Sequence, residues 1–117
     1  MATFQNHDDH LFVEISGPYS LEYFLECVEN VAVRCREASL SKVLVDLRGV
    51  TGHPSIMDRY RIGVALADSW GSGIQGAMIA PRSMVNRMTE TVVFNRGGRI
   101  RVFFDRPEAV AWLGVSG

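Results

Sequence analysis

The sequence has almost no lysine and no marked excess of either charge. Lys42 is the only lysine, and 12 basic side chains stand against 13 acidic ones, which gives a formal net charge of -1. A nucleic-acid-binding domain usually carries a basic patch and a basic isoelectric point, whereas the isoelectric point here is near 6.3. The composition therefore argues against a nucleic-acid partner.

Long apolar runs and paired cysteines are also missing. No apolar run reaches the roughly 18 residues of a membrane-spanning helix, and the first ten residues lack the basic and apolar regions of a signal peptide. Cys27 and Cys35 fall in a predicted helix, where their spacing separates them by about 12 Å along the axis, too far for a disulfide. We expect two reduced, partly buried thiols in a cytoplasmic protein.

Familiar catalytic and metal-binding motifs are absent as well. The chain has no G-x-S-x-G, no P-loop, no G-x-G-x-x-G turn after a strand and no H-E-x-x-H. His7 and His10 flank a predicted turn that we expect to face solvent, so they would meet His53 only if that turn folded against its loop. We expect no catalytic residue, no metal and no cofactor.

The apolar pattern that is present predicts a single domain over residues 1–117. A hairpin of two short strands, Thr3–Gln5 and His10–Ile15, opens the chain and is broken by Gly17 and Pro18. Apolar residues at helical spacing predict four helices, which span Ser20–Cys35, Ser55–Trp70, Ser83–Phe94 and a short segment after Asp105.

Several details of these helices are predicted too. Ser20, Ser55, Ser83 and Asp105 are expected to cap them at their N-termini. The second helix is expected to bury Ile56, Tyr60, Gly63, Val64, Ala67 and Trp70. The third is expected to carry Val85, Met88 and Val92 at helical spacing and to end at Asn95–Gly98. The aromatic residues assigned to the core are Phe24, Trp70, Phe94 and Trp112.

The most informative segment is Lys42–Tyr60, which predicts a buried strand followed by a turn and a helix. Val43–Leu47 is apolar except for Asp46, as is typical of a strand covered on both faces. We expect Asp46 to cap a turn or to pair with Arg48. Further strands at Gly76–Ala80 and Arg99–Phe104 alternate with helices. This order predicts an α/β fold with a mostly parallel mixed sheet and an N-terminal antiparallel hairpin.

The same segment resembles the STAS or SpoIIAA-like domains of bacterial anti-sigma-factor antagonists. Val45-Asp46-Leu47 matches their strand, and Ser55 stands where those antagonists have a serine that a partner kinase phosphorylates. Pro54 replaces their aspartate, and Ile56-Met57 replaces the usual Ser-Gly. The resemblance covers nearly the whole chain and implies a SpoIIAA-like fold.

A closer resemblance is to bacterial STAS/SEC14-like small proteins of unknown function. It is carried by the segments Met57–Tyr60, Asn95–Gly97, Val102–Phe104 and Glu108–Leu113. This resemblance implies the same fold and no established activity.

Ligands of open α/β sheets bind beyond the carboxyl ends of the strands. That rule selects Arg48–Ser55, Pro81–Ser83 and Asp105–Arg106, where three arginines near two helix N-termini would form an anion site. The candidate residues for ligand or partner binding are Arg48, His53, Ser55, Asp58, Arg59, Arg82 and Arg106.

Three functions remain open from the sequence. The first is a noncatalytic binding or regulatory module for a protein partner or a small apolar or anionic ligand. The second is an anti-sigma-factor antagonist phosphorylated at Ser55, although Ser55 and Asp58 fit a capping box better. The third is a small hydrolase or transferase that uses His53. The oligomeric state, a homodimer included, is also open.

Overall fold

The computed structural model describes residues 1–84 and 86–116. Its strands are β1 (Ala2–Asn6), β2 (Leu11–Pro18), β3 (Lys42–Thr51), β4 (Gln75–Ile79) and β5 (Arg99–Phe103). Its α-helices are α1 (Leu21–Ala38), α2 (Ile56–Trp70), α3 (Met88–Asn95) and α4 (Arg106–Leu113), and a short 3-10 turn spans Arg82–Met84.

The strands form one sheet in the order β1-β2-β3-β4-β5. The β1–β2 pair is antiparallel, and the other neighbouring pairs are parallel. The α/β prediction of a mostly parallel mixed sheet with an N-terminal hairpin and about four helices is confirmed. None of the helices in the described ranges combines the length and apolarity that a membrane span requires.

β3 lies in the middle of the sheet and is covered on both faces. Val43, Val45 and Leu47 pack in the larger core, which fills the space between the sheet and the helices α1, α2 and α3. Leu44 points the other way, into a smaller core beneath α4. Because successive side chains of a strand alternate between faces, an apolar run of this length supplies both cores at once.

Two of the larger core's helices are joined by a buried hydrogen bond. The indole N–H of Trp70 on α2 donates to the carbonyl oxygen of Val28 on α1 at 2.9 Å. A third helix approaches α2 closely at Gly63, where a Cβ would stand 2.8 Å from the Cβ of Val92. Such a contact requires glycine, so Gly63 is buried as predicted, for a reason of packing.

The predicted buried face of α2 is partly wrong. Ile56 is 67% exposed and Tyr60 is 45% exposed. The buried stripe instead begins at Arg59 and continues through Ile62, Gly63, Leu66, Ala67 and Trp70. Because a charged residue opens this stripe, the apolar pattern by itself pointed to the neighbouring stripe.

The assignment of all four aromatic residues to the core also needs correction. Phe24 and Trp70 are buried, and Trp112 is half-buried on α4. Phe94, however, is 77% exposed, because its neighbour Val93 takes the core position of the short helix α3.

The third helix begins later than predicted, at Met88 instead of Ser83. The residue before it, Arg87, has a φ of 66°, and a residue with positive φ cannot belong to a right-handed helix. Asn86 Oδ1, not Ser83, accepts a hydrogen bond at this terminus, from the Met88 N–H at 3.0 Å. Val85 lies outside the described residues.

The hairpin ends before Gly17 and Pro18 as predicted, since Ile15 is the last residue of β2 that pairs with β1, but the strand β2 itself continues through both residues. These two residues pair with Val50 and Thr51 of β3, beyond an irregularity in the register after Glu14. The strand therefore ends where its partner ends. The predicted caps at the other helix starts are confirmed: Ser20, Ser55 and Asp105 each accept a backbone N–H.

The turn between β1 and β2 contains a buried histidine. His10 is only 1% exposed, so the prediction that it faces solvent is wrong, whereas His7 is exposed. The Nδ1 atom of His10 lies 2.7 Å from Asp9 Oδ1, and the His10 ring stacks on the His7 ring with centroids 4.8 Å apart. This hydrogen bond, with a second one from the Ser116 N–H, lowers the pKa of Asp9 to about 2.

Candidate functional site

The junction between β3 and α2 is built as the sequence predicted. Ser55 Oγ accepts a hydrogen bond from the Asp58 N–H at 3.1 Å, and Ser55 is exposed at the start of the helix. The Asp58 carboxylate in turn accepts from the Tyr19 hydroxyl at 3.0 Å. Burial, together with this hydrogen bond, raises the pKa of Tyr19. Ser55 and Asp58 are thus part of a structural cap with Tyr19 behind it.

His53 lies in the exposed loop before this helix. Its Nδ1 stands 3.3 Å from the Pro54 carbonyl oxygen, and among the described residues no hydroxyl or thiol is within hydrogen-bonding distance of its ring. Cys27 and Cys35 are buried in α1, and burial raises the pKa of both thiols. In the described part of the chain, no three histidine, cysteine or acidic side chains are grouped as a metal site requires.

Arg48 is paired with Asp46, as expected. Its Nε and Nη2 donate to the two carboxylate oxygens at 3.1 and 2.9 Å, and its backbone N–H donates to Oδ1 at 3.0 Å. Burial raises the pKa of Asp46, but these hydrogen bonds and the charges of Arg48 and Arg106 outweigh it, so the pKa is lowered overall. Arg48 and Arg106 therefore both act on one buried carboxylate.

The other two predicted anion-binding arginines each contact an aromatic ring. The Arg106 guanidinium lies 4.8 Å from the centre of the Phe12 ring, and that of Arg82 lies 4.1 Å from the centre of the Phe104 ring. Such cation–π contacts hold a guanidinium in place without neutralising its charge. An anion site that uses Arg48, Arg82 and Arg106 together remains a prediction.

A cavity that the sequence did not predict lies between the sheet and the helices α1, α2 and α3. Its volume is about 90 Å³, room for roughly six to nine water molecules. Its walls are mainly apolar and include Val13, Phe24, Val45, Leu66, Trp70 and Ala80. Small-molecule sites are typically apolar clefts with a few polar groups, which makes this cavity the main candidate for a binding site among the described residues.

Arg59 is the charged side chain at this cavity. It is 9% exposed, and its Nη1 donates to the Met84 carbonyl oxygen. In residues 1–84 and 86–116, no carboxylate lies within ion-pair distance of its guanidinium. Burial lowers the pKa of Arg59. Arg59 was a candidate from the sequence. Its position on the same helical stripe as Ile62 and Leu66 was the signal that could have predicted its burial at a pocket.

The start of α3 forms the polar end of the cavity. Arg87 Nη1 donates to Glu90 Oε1 at 2.7 Å and to the Val102 carbonyl oxygen at 3.0 Å, while Glu90 Oε2 accepts from the Val102 N–H at 3.1 Å. Thr89 Oγ1 donates to the carbonyl oxygen of Arg59 at 3.2 Å. These bonds tie α3 to the edge strand β5 and to α2, and they bring Arg59 close to this end.

Comparisons with known proteins agree with this fold. No protein-family model matches the sequence, and no curated protein matches it either. Among solved structures, an anti-sigma factor antagonist from Mycobacterium paratuberculosis superposes with a TM-score of 0.68 at 14% identity, over 98% of this chain and 94% of that one. An uncharacterized DUF3478-family protein with a SpoIIAA-like fold, from Shewanella loihica PV-4, has a TM-score of 0.56 at 16% identity, over 97% of this chain and 92% of that one. The chain has a STAS/SpoIIAA-like fold.

Proposed function

We propose that this protein is a noncatalytic STAS-like binding module that holds a small, mainly apolar molecule in the cavity beneath α1, α2 and α3. The cavity itself is the observation that carries the proposal. Apolar side chains around a cavity make fewer dispersion contacts with one another than in a close-packed core, and a mainly apolar cavity offers water few hydrogen-bond partners. A ligand of matching polarity would restore the missing contacts, as in most small-molecule sites.

A noncatalytic role belongs to this proposal. Nucleophilic catalysis needs a base within hydrogen-bonding distance of a hydroxyl or thiol, whereas the His53 ring contacts the Pro54 carbonyl oxygen in an exposed loop. Binding needs only apolar walls and a small number of polar groups that orient the ligand. The cavity offers both, because its walls are apolar and Arg59, Thr89 and Glu90 line it as well.

Titration with 1-octanol, a neutral apolar probe, tests the proposal. We expect saturable shifts in the amide NMR signals of residues around the cavity and a higher melting temperature, since a ligand that binds only the native state stabilises it. Ala80→Leu would place a larger side chain in the cavity and should abolish both effects. Ala111→Leu, on the exposed side of α4, is the matched control and should bind octanol like the parent. Absence of saturable binding to the parent would contradict the proposal.

A second candidate is an anti-sigma-factor antagonist controlled by phosphorylation of Ser55. The exposed serine at the start of α2 supports it, because a helix N-terminus favours a phosphate. Ile56, Met57 and Tyr60 are exposed beside it, and a structural neighbour is an anti-sigma factor antagonist. Mass spectrometry of the protein isolated from its native cells tests this candidate. A phosphate at Ser55 would support it, and an unmodified Ser55 across growth conditions would contradict it.

A further inference from the structure

Arg59 and Asp46 are the arginine and the carboxylate that are at least nine-tenths buried among the described residues. Asp46 accepts three hydrogen bonds from Arg48. Arg59 has a single carbonyl partner, Met84, and no carboxylate. A largely buried guanidinium without a counter-ion is poorly compensated for the water it has lost, so an anion brought to it would gain a strong partner.

The donors of Arg59 are matched to a carboxylate. A guanidinium has five N–H donors in a planar fork, and one of its nitrogens, Nη1, donates to Met84. The remaining donors have no acceptor among the described residues, and the side chain forms part of the cavity wall. Two parallel N–H donors bind the two oxygens of a carboxylate in a way that a single ammonium group does not.

The other charged groups at the cavity do not compete for this position. Glu90 is the carboxylate on the cavity wall, and its two oxygens already accept from Arg87 and from the Val102 N–H. Arg87 is in turn held by Glu90 and the Val102 carbonyl oxygen. Arg59 is therefore the cavity's positive group that lacks an anionic partner within the described chain.

We infer that the ligand of the cavity is an apolar monocarboxylate, with its hydrocarbon part among the apolar walls and its carboxylate bound by Arg59. This inference rests on the proposed function, since it names the chemical class of the molecule that the cavity holds. The cavity volume of about 90 Å³ has room for roughly six to nine non-hydrogen atoms, one for each water it could hold, and because the cavity is partly open, the end of a longer chain can extend out of it. A medium-chain or small aromatic acid has this size.

The test compares octanoate with 1-octanol, which share a chain length and differ in the head group. Calorimetric titration of the parent near neutral pH should give octanoate an affinity at least about tenfold higher, the effect expected of a charge-assisted bidentate contact in a buried site. Arg59→Met should bind the two probes about equally while it keeps its affinity for octanol. Arg61→Met makes the same change of charge at an exposed position of α2 and should keep the preference for octanoate.

The outcomes separate this inference from the proposed function. Equal binding of octanoate and octanol to the parent would overturn the carboxylate inference and leave the apolar cavity site intact. A preference for octanoate that persists in Arg59→Met would show that Arg59 is not the recognising group. Failure of both probes to bind the parent would overturn the proposed function itself. If Arg59→Met does not fold, Arg59→Lys keeps the charge without the planar fork and should lower octanoate affinity several-fold without affecting octanol.

Discussion

The two faces of the sheet differ in whether a buried charge has a partner of opposite sign. On the α4 side, Asp46 is held by Arg48 through its side chain and its backbone N–H. On the side of α1, α2 and α3, Arg59 lies against a cavity without a carboxylate partner in the described residues. A paired charge is neutralised by its partner within the fold, whereas a positive charge without a partner is suited to bind an external anion. The comparison separates a charge that the fold itself neutralises from one for which we propose a binding role.

The two faces of the sheet also differ in how tightly their side chains are packed. The small core beneath α4 consists of five residues that are at most 1% exposed: Leu44, Ala77, Ile79, Ala109 and Leu113. The larger core buries far more side chains but borders a partly open cavity of about 90 Å³. The proposed binding role would account for this difference, because a site must leave space that a purely structural core would fill.

The largest expected effect comes from placing a charge in the larger core. Val45→Asp should unfold the domain, because an unpaired buried carboxylate costs several kcal/mol against a total stability of about 5 to 15 kcal/mol. Circular dichroism and urea denaturation measure this. Val33→Asp makes the same change at a position that is 43% exposed and should leave the fold intact. If Val45→Asp melted like the parent, the larger core would not depend on β3.

Enlarging an alanine should discriminate directly between the two faces. Ala77→Leu, in the tight core beneath α4, should destabilise the protein by about 1 to 3 kcal/mol through overpacking. Ala80→Leu, at the cavity, should change the free energy of unfolding by less than about 1 kcal/mol, since the added carbons occupy empty space. Urea denaturation of both variants gives the comparison. Equal costs would mean that the larger core has no usable space.

Removing the charge of Asp46 should reveal a pH-dependent contribution on the α4 side. Asp46→Asn should cost about 1 to 3 kcal/mol near neutral pH, because it removes charge-assisted hydrogen bonds from Arg48. The folded-state pKa of Asp46 is lowered. The contribution is therefore complete above the unfolded-state pKa of about 3.9 and disappears as the pH falls through the lower folded value.

The measurement is urea denaturation of the parent and the variant at about pH 7 and about pH 2.5. The difference in stability should shrink at the lower pH. Asp68→Asn, an exposed position on α2, controls for the loss of one negative charge. A difference that is the same at both pH values would show that the Asp46–Arg48 pair is not the source.

The smallest effect is expected at the start of α2, where the phosphorylation hypothesis and the capping interpretation diverge. Ser55→Ala should cost about 0.5 to 2 kcal/mol, and Ser55→Asp should stay close to the parent because aspartate also caps and suits the helix dipole. Ser83→Ala should have almost no effect, since α3 begins after Arg87. Loss of a specific binding partner in Ser55→Asp, at unchanged stability, would favour the phosphorylated antagonist instead.

Local patterns in the sequence were sufficient for most of the fold. The apolar run of Val43–Leu47 predicted a central strand, and the capping serine at 55 and the aspartate at 105 predicted two helix starts. These features depend on residues that are neighbours along the chain, so the sequence is sufficient to predict them. The start of α3 was predicted wrongly, because the positive φ of Arg87 accompanies bonds of its side chain to Glu90 and the distant Val102.

In the candidate site, too, some features follow from the local sequence and others only from the tertiary structure. The sequence alone determined that Ser55 caps α2 and that Arg59 follows one turn later, since both depend on helical geometry. Only the tertiary structure decided which stripe of α2 is buried, and therefore that Arg59 faces a cavity while Ile56 faces solvent. The physical reason is that a cavity arises where side chains from distant elements fail to fill the space between them, and no local pattern records that mismatch.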